Sequence, residues 1–360
     1  MIRVLVVVIL FFYFNSVTAN ILSDTIRKNY DSAFIELNYS VKNDGLFKEA
    51  VYIVENTFFN NKLDREKFYR PIDDLRTLCL LWTNSNRITE YRFSDSLNLQ
   101  KNFSIYSILK DTVKLIDEDS SVYSFVPFIY DFSDFNGSHN WSNMFVSKLL
   151  ITRSGNCHSF PYLYKILADE LKASCWLSLA PNHIYIKNRC KETGWYNTEL
   201  TSGQFPIDAW ITASGYIPLK AIQNGIYMDT LSNRQAIALC ILDLAKGYEF
   251  QTRDYYDGFI LKCCEVVLAY HPVNVQALLL KAETLKRLYE KQEKAKDYAA
   301  KNTYHEMEQV YIKLFELGYR EMPEKMYLQW LAGLVTEKEK YSNKKLHATI
   351  KGTNTPAKKK

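Results

Sequence analysis

Glycine and proline are scarce in this chain, at 12 and 9 of 360 residues. No glycine-rich phosphate loop and no dinucleotide fingerprint occurs, so no nucleotide cofactor is expected. The seven cysteines form no CxxC pair and no Cys/His cluster at zinc spacing, so no metal is expected either. Beyond the N-terminus there is no second long apolar run, and no membrane span is expected after that segment. A basic face is also missing. The net charge is +5, but Lys344 to Lys360 holds six lysines and no acid; removing those six leaves −1. Nucleic acid is therefore not an expected partner.

Aromatic residues are plentiful, with 26 Tyr and 20 Phe, which is ample material for buried cores. Residues 1–19 read as a secretory signal peptide. Arg3 supplies the positive end, Val4 to Phe14 the apolar core, and Val17-Thr18-Ala19 a small-residue cleavage site. The mature protein is expected to be exported, periplasmic or extracellular. Export permits disulfides, and an odd number of cysteines leaves at least one thiol free or paired between chains. Residues 343–360 are basic and expected to be disordered.

Apolar periodicity divides the rest. Residues 20–115 read as helical and carry no motif. Residues 229–342 also read as helices only. There Ala269-Tyr270-His271-Pro272-Val273-Asn274-Val275-Gln276-Ala277 resembles the junction between two tetratricopeptide units. Phe315 and Pro323 repeat the eight-residue offset of Cys264 and Pro272.

The segment 116–225 has a different character. Phe160, Leu163, Tyr164, Leu167 and Leu171 make one apolar helical stripe, with Cys157 at the start of that helix and Ser154 or Asn156 as its cap. Strands are expected over 175–180, 183–187 and 195–200. A hairpin centred on Lys191 would set His183 opposite Glu199, with side chains about 5 Å apart. Cysteine, histidine and carboxylate would then meet. A thiol is nucleophilic only as the thiolate, which a helix N-terminus and a nearby imidazole favour. A carboxylate behind the imidazole fixes its tautomer and supports its charge. His158 is adjacent to Cys157 but points about 100° away on a helix, and reads as a wall residue. Asp208 is a weaker substitute for Glu199. The backbone N–H of Cys157 is the natural oxyanion donor, with Trp141 and Asn143 just upstream. Trp195 and Tyr185 either cover the site or belong to the core.

With these residues in place, the segment resembles the transglutaminase-like superfamily of papain-type folds. Gly155-Asn156-Cys157, His183 before Ile184-Tyr185-Ile186, and the run from Trp195 through Glu199 to Thr201 match its three ordered motifs. Glu199 stands where Asp is usual, and the interval from Cys157 to His183 is short. The resemblance implies an α+β fold, with a buried helix packed on antiparallel strands in a transglutaminase-like, papain-like core between helical regions. It implies a Cys157–His183–Glu199 triad for cysteine-dependent acyl transfer or amide or peptide hydrolysis, with a peptide or protein as substrate or partner. The alternative is a catalytically inactive member that keeps the fold as a peptide- or protein-binding module.

Overall fold

The computed structural model describes residues 24–88, 91–116, 119 and 121–353. The signal-peptide segment lies outside them. Helix α1 spans residues 24–42, followed by α2 (Phe47–Phe58), α3 (Arg65–Ser85) and α4 (Ser96–Lys110). Strands β1 (Val113–Ile116), β2 (Val122–Phe125) and β3 (Ile129–Tyr130) come next, then a 3-10 turn at Trp141–Met144 and α5 (Val146–Thr152). Strand β4 (Ser154–Gly155) leads into α6 (Ser159–Glu170), β5 (Trp176–Ala180), β6 (His183–Cys190) and β7 (Gly194–Thr198). Helices α7 (Asp208–Ser214), α8 (Leu219–Gln223), α9 (Asn233–Thr252) and α10 (Phe259–Tyr270) follow. The chain continues through α11 (Val275–Lys294), α12 (Ala300–Leu317) and α13 (Glu324–Thr336) to α14 (Lys338–Tyr341) and α15 (Lys344–Thr353).

By internal packing the chain forms two compact units, neither of them continuous in sequence. One comprises residues up to Leu63 and Asn233–Tyr311. Among its described residues every regular element is a helix, with α2 on α9, α9 on α10 and α10 on α11. Helix α1 buries Tyr30, Ala33, Phe34, Leu37 and Val41, a stripe at three- and four-residue steps. Tyr30 meets Phe259 and Tyr248 edge-on, at 5.8 and 5.1 Å between ring centroids. At the α10–α11 turn, Asn274 is the N-cap and accepts the Ala277 N–H at 2.9 Å. Asn274→Ala is expected to cost about 1 kcal/mol, read as a lower urea midpoint, because that N–H is left buried and unpaired.

The other unit comprises Asp64–Ser232 and the residues from Ile312 onward. Its centre is α6, in which every side chain from Ser159 to Ala168 is buried. Helices α3, α4 and α5 pack against α6, as do β5 and β6. Strands β5, β6 and β7 form one antiparallel sheet in sequence order.

The expected fold class, α+β with a transglutaminase-like, papain-like core, is corrected here. The protein is mostly helical, 61% helix against 11% strand, with only small sheets. Among the described residues only three strands sit together. The hairpin β1–β2 is a separate pair with a largely exposed second strand, and β3–β4 is a two-residue parallel pairing. The 25 residues between Cys157 and His183 hold α6 and a single strand, so no broad sheet can form behind the helix. Helices supply the burial that a sheet would have provided. The basic end also differs from the expectation. Residues 344–353 are helical with Leu346 buried, while 354–360 lie outside the described residues.

Candidate functional site

Cys157 lies in the turn between β4 and α6, two residues before the first helical residue rather than at it. Asn156 shapes this turn. Its side-chain oxygen accepts the N–H groups of His158 (3.0 Å) and Ser159 (3.2 Å), which have no partner inside the helix. Strand β3 pairs Tyr130 with Gly155, which brings the tyrosine alongside the cysteine turn.

His183 opens β6 opposite Ala180 of β5. The β6–β7 ladder pairs Ile186 with Thr198 and Asn188 with Tyr196, so His183 is not directly across from Glu199. The register differs by two residues from a hairpin centred on Lys191. An even offset keeps both side chains on one face, as diagonal neighbours. The longer glutamate side chain spans that diagonal. Its Oε2 lies 2.6 Å from His183 Nε2, and its Oε1 accepts the Thr201 N–H at 2.7 Å. Glu199 itself is fixed just beyond β7 by a two-way backbone pairing with Gln204.

With Nε2 committed to the carboxylate, Nδ1 is the nitrogen left for the sulfur. It is buried and makes no hydrogen bond of normal geometry, although its charge acts strongly on Cys157. The missing hydrogen bond between Nδ1 and the sulfur is what limits proton transfer at rest. Burial pushes the Cys157 thiol up, yet the His183 charge, with the Tyr327 hydroxyl beside the sulfur, brings it below its ordinary value. Burial pulls His183 down, but the Glu199 and Cys157 charges raise it to about 10. Burial likewise pushes Glu199 up, and the His183 charge with the Thr201 N–H holds it below its ordinary value. All three side chains are buried, at 7, 4 and 3% exposure.

Other side chains singled out in the sequence have different employment. The His158 Nδ1 pairs with the Met144 carbonyl at 2.9 Å and its ring packs on Tyr162. Asp208 accepts from Asn197 at 2.7 Å and lies 3.6 Å from Lys187, away from His183. Asn143 is bound to Asp134 and Lys148. Trp195 is half exposed against Trp176, and Tyr185 is core. All seven cysteines are free thiols and buried. Among the described residues, no group of three or more His, Cys, Asp or Glu is placed to hold a metal.

Sequence reasoning missed the cover of the site. Helix α13 sets the Tyr327 hydroxyl 3.5 Å from Cys157 Sγ and packs Trp330 edge-on to His183, with centroids 4.7 Å apart. The two rings adjoin each other, and Tyr327 also adjoins Phe135 at 5.4 Å. The spacing of Tyr327 and Trp330 marks one buried helix face, but nothing in it names the surface underneath. Lys110 was missed too. Its Nζ lies over the Phe160 ring at 4.8 Å, and burial lowers it to about 8 against the pull of Glu199 and Asp111.

No family model matches the chain, and no curated protein matches it. Among solved structures it is similar to a crystal structure of menin, described as revealing the binding site for Mixed Lineage Leukemia (MLL) protein. The TM-score is 0.35 at 12% identity, over 87% of this chain and 75% of that one. A likeness that weak carries no argument about fold or function. Among the described residues no helix is long and apolar enough to cross a membrane.

Proposed function

We propose that the chain is an exported, cysteine-dependent enzyme of acyl transfer or amide or peptide hydrolysis, acting on peptide or protein substrates. The observation that carries this reading is the buried His183–Glu199 pair at 2.6 Å, with Nδ1 left over for the Cys157 thiol. The three motifs shared with the transglutaminase-like superfamily support the same chemistry as a likeness of motifs, not of fold. Export rests on the N-terminal apolar segment.

In this reading Glu199 holds the Nε2 proton, so Nδ1 is free to take the thiol proton. The sulfur attacks the substrate carbonyl, and the Cys157 N–H faces the developing oxyanion. His183 returns the proton to the departing amine, leaving a thioester. Water, or a second amine, then gives its proton to Nδ1 and attacks, which releases the acyl group and restores the thiol. A second reading, an inactive peptide- or protein-binding module, is favoured by the burial of the triad beneath Tyr327 and Trp330.

Iodoacetamide labelling of Cys157 as a function of pH separates the two. The wild-type protein is expected to show a midpoint below that of an ordinary thiol. In His183→Ala the midpoint should rise and labelling at pH 6 should fall at least about tenfold. Limited access slows labelling equally at every pH and leaves the midpoint in place. An ordinary midpoint that is unmoved in His183→Ala leaves the binding module.

A further inference from the structure

Helix α13 is an unusual neighbour for a reactive cysteine. Its Tyr327 hydroxyl lies 3.5 Å from Sγ, the separation an attacked carbonyl would itself need. Trp330 closes the side of the imidazole, and its indole N–H is tied to Ser214 Oγ at 2.9 Å. Tyr327 completes the closure against Phe135. A nucleophile in this state cannot receive a peptide.

The segment is attached as a strap would be. On its N-terminal side, α12 ends at Gly318, whose left-handed φ of +81° lets the chain turn away, and 319–323 carry no regular structure. A Cβ at Gly318 would meet Lys220 at 3.1 Å and the backbone of Ala221 at 3.2 Å, so this turn is shaped for glycine. On its C-terminal side the strap is anchored by main-chain bonds. Asn343 N–H donates to the Phe205 carbonyl at 2.8 Å, and Ile207 N–H to the Tyr341 carbonyl at 3.3 Å. Tyr341 also packs on Trp210 at 5.2 Å. The anchoring stretch, Phe205 to Ile207, directly continues the Glu199–Gln204 turn that presents the carboxylate to His183. One end of the strap is thus fixed to the loop that orients the base, while the other leaves through an irregular linker.

We propose that α13 is an autoinhibitory strap: Tyr327 and Trp330 plug the Cys157–His183 site, and substrates enter only when α13 swings out on its Gly318–Pro323 linker. This rests on the reading of Cys157, His183 and Glu199 as a reactive site. It adds a resting state in which that site is closed by the chain's own C-terminal segment.

The seven free buried cysteines supply an internal control. Release of the strap exposes Cys157 alone, whereas loss of the fold exposes all of them. The test is the rate of iodoacetamide labelling of the full-length protein, with each cysteine followed by peptide mass mapping. Wild-type protein, Trp330→Ala and Trp330→Phe are compared. Trp330→Ala is expected to label Cys157 at least about tenfold faster than wild type, with the other six cysteines as slow as before. Trp330→Phe keeps a ring against His183 and should stay near the wild-type rate. The strap is overturned if wild-type protein labels as fast as Trp330→Ala, if Trp330→Phe labels as fast as Trp330→Ala, or if all seven cysteines gain label together. Failure of the reactive-site reading would look different: the rate ratio would persist while the pH midpoint in every protein stayed at that of an ordinary thiol.

Discussion

Glu199→Ala is expected to lose about 3–5 kcal/mol of stability near pH 6, measured by urea titration. The carboxylate is buried and directly bonded to a buried imidazole, so its removal leaves His183 with no counter-charge and the Thr201 N–H without its acceptor. The pH dependence has a definite sign. His183 is raised from 6.5 to about 10 by its partners, so its contribution is complete below 6.5 and is lost as pH rises through about 10. Glu199 is lowered from 4.5, so its contribution is present above 4.5 and is lost as pH falls through its folded value. The stabilisation by this pair is therefore largest between 4.5 and 6.5. Cys157 acts in the opposite direction. Its lowered thiol favours folding once pH exceeds its folded value, up to the full effect above 9.0, and offsets part of the alkaline loss. The alkaline slope should therefore be steeper in Cys157→Ala than in wild type, and nearly flat in Glu199→Ala. An equal slope in all three proteins would show that the pair is not what titrates.

Phe160→Ala is expected to cost about 3–5 kcal/mol, the cavity penalty of a fully buried ring. Phe160 is 0% exposed at the start of α6, edge-on to Phe128 at 6.5 Å, with the Lys110 ammonium over its face. Neither neighbour can collapse readily into the space, since Phe128 N–H is bonded to the Leu109 carbonyl and the ammonium to the Phe128 carbonyl. The comparison is Ile151→Ala on α5, where the side chain is 68% exposed and the change should stay within about 0.5 kcal/mol. Urea midpoints of the two variants against wild type decide it. Equal midpoints would mean that α6 is not the packing centre of its unit.

Several features were legible from residue order alone. The stripe Phe160, Leu163, Tyr164, Leu167 and Leu171 marked the buried helix, because a 3.6-residue period with apolar groups on one face has few other uses. The hairpin was visible as two strands, 183–187 and 195–200, about a loop centred on Lys191, and its face assignment survived the two-residue register difference through the period of two. His183 and Glu199 meet for that reason. The register itself was not legible, since turn geometry sets it and several short turns fit the same residues.

The fold class could not be read in the same way. Three strands beside one buried helix look alike locally whether a large sheet or a layer of helices lies beyond them. Covering α6 with α3, α4 and α5 is a choice among non-local contacts that no window of sequence contains. The division into interleaved units has the same origin.

By itself the sequence put a thiol at the start of a helix, and an imidazole and a carboxylate on one face of a hairpin; the helix in fact begins two residues after the thiol. These follow from local periodicity and from the protonation chemistry of the residue types. Only the tertiary structure decided that Tyr327, 170 residues along the chain, lies against the thiol and Trp330 against the imidazole. An apolar helix face declares that it will be buried. What buries it is settled by which partner surface offers the largest drop in exposed area, and that is a property of the assembled chain.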